Sequence, residues 1–111
     1  MKKSPPTDEL TDLGRFSEPA LLILISLAEG PKHGYAMTHD IEAVSGQRLG
    51  PGTLYGAIAR LEARGWIEAL PAEARRRPYR LTGAGQGVLR ARLESLRAVA
   101  RIGQARLVEG S

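Results

Sequence analysis

Arg75, Arg76 and Arg77 stand side by side between Pro71 and Pro78, and three adjacent guanidinium groups repel one another unless an anion meets them. A second stretch with chemical potential is Gly50 to Arg64, GPGTLYGAIARLEAR, a glycine- and proline-punctuated turn that launches a helix carrying Thr53, Tyr55, Gly56 and Arg60. A hydroxyl, a phenol and a guanidinium on one helical arc suit contacts with base edges and phosphate oxygens, while Gly56 and Ala59 let the helix axis come close to a partner. Arg60 alone on that arc can make a bidentate contact with guanine, so any sequence code read directly is short. Two more residues, Lys32 and His33 in the turn Pro31-Lys32-His33-Gly34-Tyr35, are candidates for phosphate contact. Plainer roles stay open: Tyr55 could cover a hydrophobic core, Arg60 could pair with neighbouring acids, and His33 could be a turn residue.

Catalysis finds little support. His33 and His39 are the only histidines, cysteine is absent, and the acidic residues show no paired or metal-ligand spacing. Gly50 and Gly52 lack the following lysine and the preceding strand of a phosphate-cradling loop. The expectation is therefore a protein that is not an enzyme, with no cofactor and no metal. Without cysteine, disulfides are excluded and a reducing cytosol is compatible. The apolar run Ala20 to Ala28 is shorter than the roughly 20 residues that cross a bilayer. Pro5, Pro6, Asp8 and Glu9 interrupt what would otherwise be the apolar core of an export signal after Lys2 and Lys3. A cytoplasmic location and no membrane partner are expected.

The 111 residues, 42% hydrophobic and 25% charged, suffice for one core plus appendages. The formal charge of +4 is unevenly placed. Residues 1–71 carry 7 Lys and Arg against 9 Asp and Glu, a balance of −2, whereas residues 72–111 carry 9 Arg against 3 Glu, a balance of +6. Arginines that merely solvate an exposed helix account for those after Arg90. They do not account for the run at 75–77, which suits a polyanionic partner.

Periodicity supplies the elements that would hold these residues. Residues 1–16, with Pro5 and Pro6 and mixed charges, read as a mobile arm. Ser17 is a candidate N-cap for a first helix from about Glu18 to Glu29, apolar almost all round and so a central post of the domain; Gly30 and Pro31 end it. A second helix is predicted from Tyr35 to Ser45 with Met37, Ile41 and Val44 on one face, and a third from Pro51 to Arg64 with Leu54, Ala57, Ile58 and Leu61 turned inward. Gly46 and Gly65 close them. Trp66 to Leu70 and Pro78 to Leu81 read as strands of a hairpin wing with 71–77 between them, and Trp66 as a core residue at its base rather than a ligand platform. A last helix is predicted from near Thr82 to about Val108. Leu89, Leu93, Leu96, Ala100, Gly103 and Leu107 recur at alternating intervals of four and three, a heptad-type seam too long for its small domain to cover, and they predict a symmetric homodimer. Folding of the seam back onto the first helix is the alternative.

These elements give a mainly α chain with a small β-hairpin wing: a winged helix-turn-helix over residues 17–81 and a long C-terminal dimerisation helix and tail over 82–111. In such proteins the second helix of the pair enters the major groove and the wing grips the backbone. Duplex DNA is thus the predicted partner. A winged helix whose basic wing meets acidic protein is the runner-up.

Three ordered motifs carry a family resemblance over roughly residues 18–90. GPKHGYAM (Gly30–Met37), PGTLYGAIARLEARGWIE (Pro51–Glu68) and YRLTGAG (Tyr79–Gly85) resemble the corresponding segments of the PadR-like winged-helix transcriptional regulators, in the branch with a single C-terminal helix. The chain departs from the family's usual pattern at Gly50 and Gly56. The resemblance implies a homodimeric repressor on a pseudo-palindromic operator, released by a small hydrophobic or aromatic effector. The final helix carries no aromatic residue, so an aromatic sandwich at the dimer centre is not visible in the sequence.

Overall fold

A computed structural model of the chain describes residues 17–110; the predicted arm over 1–16 lies outside the described residues, and so does Ser111. The elements run α1 (Ser17–Ala28), β1 (Lys32–His33), α2 (Gly34–Ser45), α3 (Pro51–Ala63), β2 (Ile67–Ala69), β3 (Pro78–Leu81) and α4 (Gly83–Glu109). Three antiparallel strands form one sheet in the order β1-β3-β2. The sheet has one strand more than the predicted hairpin. Lys32 and His33 pair with Tyr79 and Pro78, and a strand of two residues is too short to leave a periodic signal in the sequence.

α1 is the central post, packed against α2, α3, α4 and β3. Ala20, Ile23, Leu24 and Leu27 are buried, and Leu21, Leu22 and Ile25 pack against the core from its margin. Met37 and Ile41 of α2 join them, as do Leu54, Ala57, Ile58 and Leu61 of α3. Val44 does not: it lies in the last turn of α2 and is 61% exposed. The inward face of α2 is therefore one residue shorter than the periodicity indicated.

Glycine and hydroxyl chemistry set the junctions. After α3, Gly65 takes φ +75, its N–H donates to the Glu62 carbonyl at 3.0 Å, and the Trp66 N–H donates to the Leu61 carbonyl at 3.1 Å. That is a Schellman turn, which caps the helix end and folds Trp66 over Leu61 into the core. Thr82 caps α4: its Oγ1 accepts from the Gly85 N–H at 3.1 Å and donates to the Gly65 carbonyl at 2.6 Å. One side chain thereby ties the start of α4 to the turn that begins the wing.

Candidate nucleic-acid interface

α3 presents two faces of opposite character. Opposite its buried side, Gly52, Thr53, Tyr55, Ala59, Arg60 and Ala63 are exposed and Gly56 is half-buried, as the helical period predicted. The Arg60 guanidinium donates to the Gly56 carbonyl at 3.2 Å, one turn back along its own helix. Pro51 opens the helix behind Gly50, which offers no side chain to cap it.

The wing tip is a two-residue turn. Glu73 and Arg76 exchange both backbone hydrogen bonds, at 2.7 and 2.8 Å, with Ala74 and Arg75 between them at φ +46 and +71. Hairpin turns of this type favour Asn-Gly because both central residues need positive φ, and a side chain there costs on the order of 1–2 kcal/mol per residue. The turn lifts the Arg75 side chain into solvent. Arg77 is steadied by donation to the Leu70 carbonyl at 2.8 Å, and Arg80 by an ion pair with Glu68.

His33 joins the wing to α2. Its Nδ1 accepts from the Ala36 N–H at 3.3 Å as the N-cap of that helix. The Arg76 guanidinium lies 3.2 Å from Nε2 of the same ring, within hydrogen-bond distance.

These pieces enclose two clefts that share Gly34, Tyr35 and Tyr55. The one under the wing, about 230 Å³, is lined by His33, Arg75, Arg76, Arg77 and Tyr79 as well. The other, about 370 Å³, continues past the shared residues to Thr38, Arg48 and the turn Leu49-Gly50-Pro51. Of the sequence-predicted residues, His33, Tyr55 and the three arginines thus come together, and Thr53, Gly56 and Arg60 follow along the outer face of α3. Tyr35, Arg48 and Tyr79 were not singled out as contacts. Tyr35 was visible only as part of the turn motif; it stands 64% exposed, its ring 4.5 Å edge-on from that of His39. Burial, with Glu62 next, pushes the Tyr79 phenol above its ordinary value of 10.0 and keeps it a neutral donor at the cleft wall.

Lys32 is held by neighbouring groups. Its ammonium turns inward, donating to the Ser26 carbonyl, pairing with Glu29 at 2.9 Å and facing Asp40 at 3.9 Å, while the residue lines a third cleft together with His33 and Arg76. The C-terminal seam also divides. Leu89 is buried in the core, whereas Leu93, Leu96, Val99 and Ile102 are between 41% and 65% exposed, and Ala100, Gly103 and Leu107 are exposed too. Val99 and Ile102 lie outside the predicted repeat. Among the described residues no three His, Asp or Glu side chains gather as a metal site, and no helix is long and apolar enough to cross a membrane.

Three helices with α2 and α3 joined by a turn, followed by a hairpin beside the exposed helix, define the winged helix-turn-helix class. Residues 23–91 match the transcriptional regulator PadR-like family, and the chain belongs to it. It is similar to the transcriptional regulator Rv3488 of Mycobacterium tuberculosis, 38% identical over 84 residues that cover 73% of this chain and 78% of that one. It is also 49% identical over 82 residues to an uncharacterized 37.1 kDa protein in transposon Tn4556 of Streptomyces fradiae; the match covers 74% of this chain and only about a quarter (24%) of that longer protein. Among solved structures, a transcriptional regulator from Clostridium thermocellum, Cth-833, superposes with a TM-score of 0.70 at 28% identity, covering 85% of this chain and 96% of that one. A PadR family transcription regulator from Clostridium difficile has the same fold, with a TM-score of 0.70 at 22% identity over 80% of this chain and 97% of that one. The protein is accordingly a transcription regulator.

Proposed function

We propose that the chain binds duplex DNA sequence-specifically as a homodimeric repressor, with α3 in the major groove and the wing on the flanking backbone. The observation that carries this reading is the convergence of the wing arginines, His33 and Tyr55 on one cleft beside the small outward face of α3. Thr53, Tyr55, Gly56 and Arg60 are assigned to the groove, and His33 and Arg75 to Arg77 to phosphates. The exposed apolar side chains of α4 support a second copy as the dimer partner, so that residues 17–81 form the reading head and 82–111 the dimerising helix and tail. Two such heads favour half-sites one or more helical turns apart.

Release by a small hydrophobic or aromatic effector completes the proposal and rests on the family alone. A groove of about 380 Å³ between α1 and α4, with Ala28, Leu89 and Leu93 on its floor, offers such a compound room. The deciding experiment is footprinting on the DNA upstream of the chain's own gene. Protection of a two-fold repeat is expected, and the absence of any protected site refutes specific binding. A compound that binds the protein without changing its affinity for that site removes effector control from the account.

A further inference from the structure

Gly34 opens α2 with no conformational reason to be glycine. Its φ is not positive, unlike those of Gly30, Gly46 and Gly65, and inside a helix alanine is the better former. What a side chain there would meet is the phenol of Tyr55 in α3. A Cβ at position 34 would overlap the Tyr55 hydroxyl oxygen and stand 2.8 Å from Cζ and 3.2 Å from Cε1, well inside contact distance. Because Tyr55 is 52% exposed, burial in the core does not account for this close seat. The phenol rests on a bare α-carbon where the two clefts meet, with the wing arginines on one side and the Gly50-Pro51 turn on the other.

We propose that Gly34 is a positioning residue for DNA recognition: its missing side chain is the seat that holds the Tyr55 phenol, in α3, at the orientation in which it meets the duplex. The proposal rests on the DNA reading above and adds to it that α2, the helix behind the reader, fixes the aim of the reader's one exposed aromatic. Adding a methyl group at position 34 pushes the phenol outward while leaving every charged group at the interface in place. Its effect is therefore on affinity and not on the salt slope, which counts released counterions.

A double-mutant cycle of Gly34→Ala and Tyr55→Ala tests this. Binding to a duplex from upstream of the gene is followed by fluorescence anisotropy across salt concentrations, and urea unfolding is followed on the same four proteins. Gly34→Ala in the native background is expected to lower affinity about tenfold, the size of one strong hydrogen bond, with an unchanged salt slope. In the Tyr55→Ala background the same substitution is expected to change affinity by under about twofold, since the phenol that the added methyl group would displace is gone and the two positions are therefore coupled. Equal losses in both backgrounds, or no loss in the native one, overturn the proposal. Should Gly34→Ala alone fail to fold, Tyr55→Ala must restore the fold by removing the overlap, and failure to do so overturns it equally. A native chain that binds no duplex defeats the DNA reading and this proposal together, whereas a chain that binds DNA without coupling between positions 34 and 55 defeats the seat alone.

Discussion

Gly85 illustrates how a single residue can carry a junction. A Cβ there would overlap the Trp66 carbonyl oxygen and lie 2.9 Å from the carbonyl carbon and 2.8 Å from the Leu81 Cδ1. Backbone on one side and a packed leucine on the other leave no room to yield, so Gly85→Ala must push α4 off the wing base. We expect it to cost about 3 kcal/mol, at the upper end for overpacking, as a lower urea midpoint for unfolding. Tyr79 offers a test by pH. Its phenol is held neutral above pH 10.0 by burial and by Glu62. The folded state thus gains from Tyr79 fully below pH 10.0, and that gain is lost as pH climbs through the higher folded value. Titration of phenolate absorbance should show one late tyrosine that disappears in Tyr79→Phe. A variant with the same titration curve as the native chain would contradict it. At this scale the sequence was legible where a residue type has one physical use, as with the arginine run. It was not where partners decide. The inward turn of Lys32 depends on Glu29 and Asp40 meeting it, and no spacing rule states that.

The elements were more readable than their partnerships. Helical periods and glycine stops located four helices because Gly46 and Gly65 take the left-handed conformation that ends them. The wing strands followed from alternation flanked by proline. β1 was missed, since its pairing with Tyr79 and Pro78 is a long-range event in only two residues. That strand anchors His33 beside the wing, so the candidate site was legible as two separate stretches and not as a single cleft. The wing's share is measurable as an element. Reversing Arg75, Arg76 and Arg77 to Glu is expected to weaken duplex binding sharply. It should also make the dependence of log K on log salt shallower by about 2–3, at about 0.9 for each phosphate no longer neutralised. Unchanged affinity and slope would exclude the wing from the interface.

For the whole molecule the decisive dimension is length. The described chain extends 55 Å along its longest axis, and α4, at 27 residues, accounts for about 40 Å of it. Its first two turns reach the core through Gly85 and Leu89, and beyond them Leu93, Leu96, Val99 and Ile102 are exposed. We expect sedimentation to show a dimer at micromolar concentration and Leu93→Glu with Leu96→Glu to shift it to monomer, while the thermal midpoint of the monomeric head stays near that of the native chain. A native chain that sediments only as monomer would refute the paired arrangement. The hydroxyl of Thr82 binds the first turn of α4 and the Gly65 carbonyl at once, so the long helix has no free joint where it leaves the head. It behaves as a lever. A tilt of about 5° over about 40 Å sweeps its far end through about 3.5 Å, one base-pair step. Small rotations between two such levers are enough to bring their heads into or out of phase with the helical repeat of DNA.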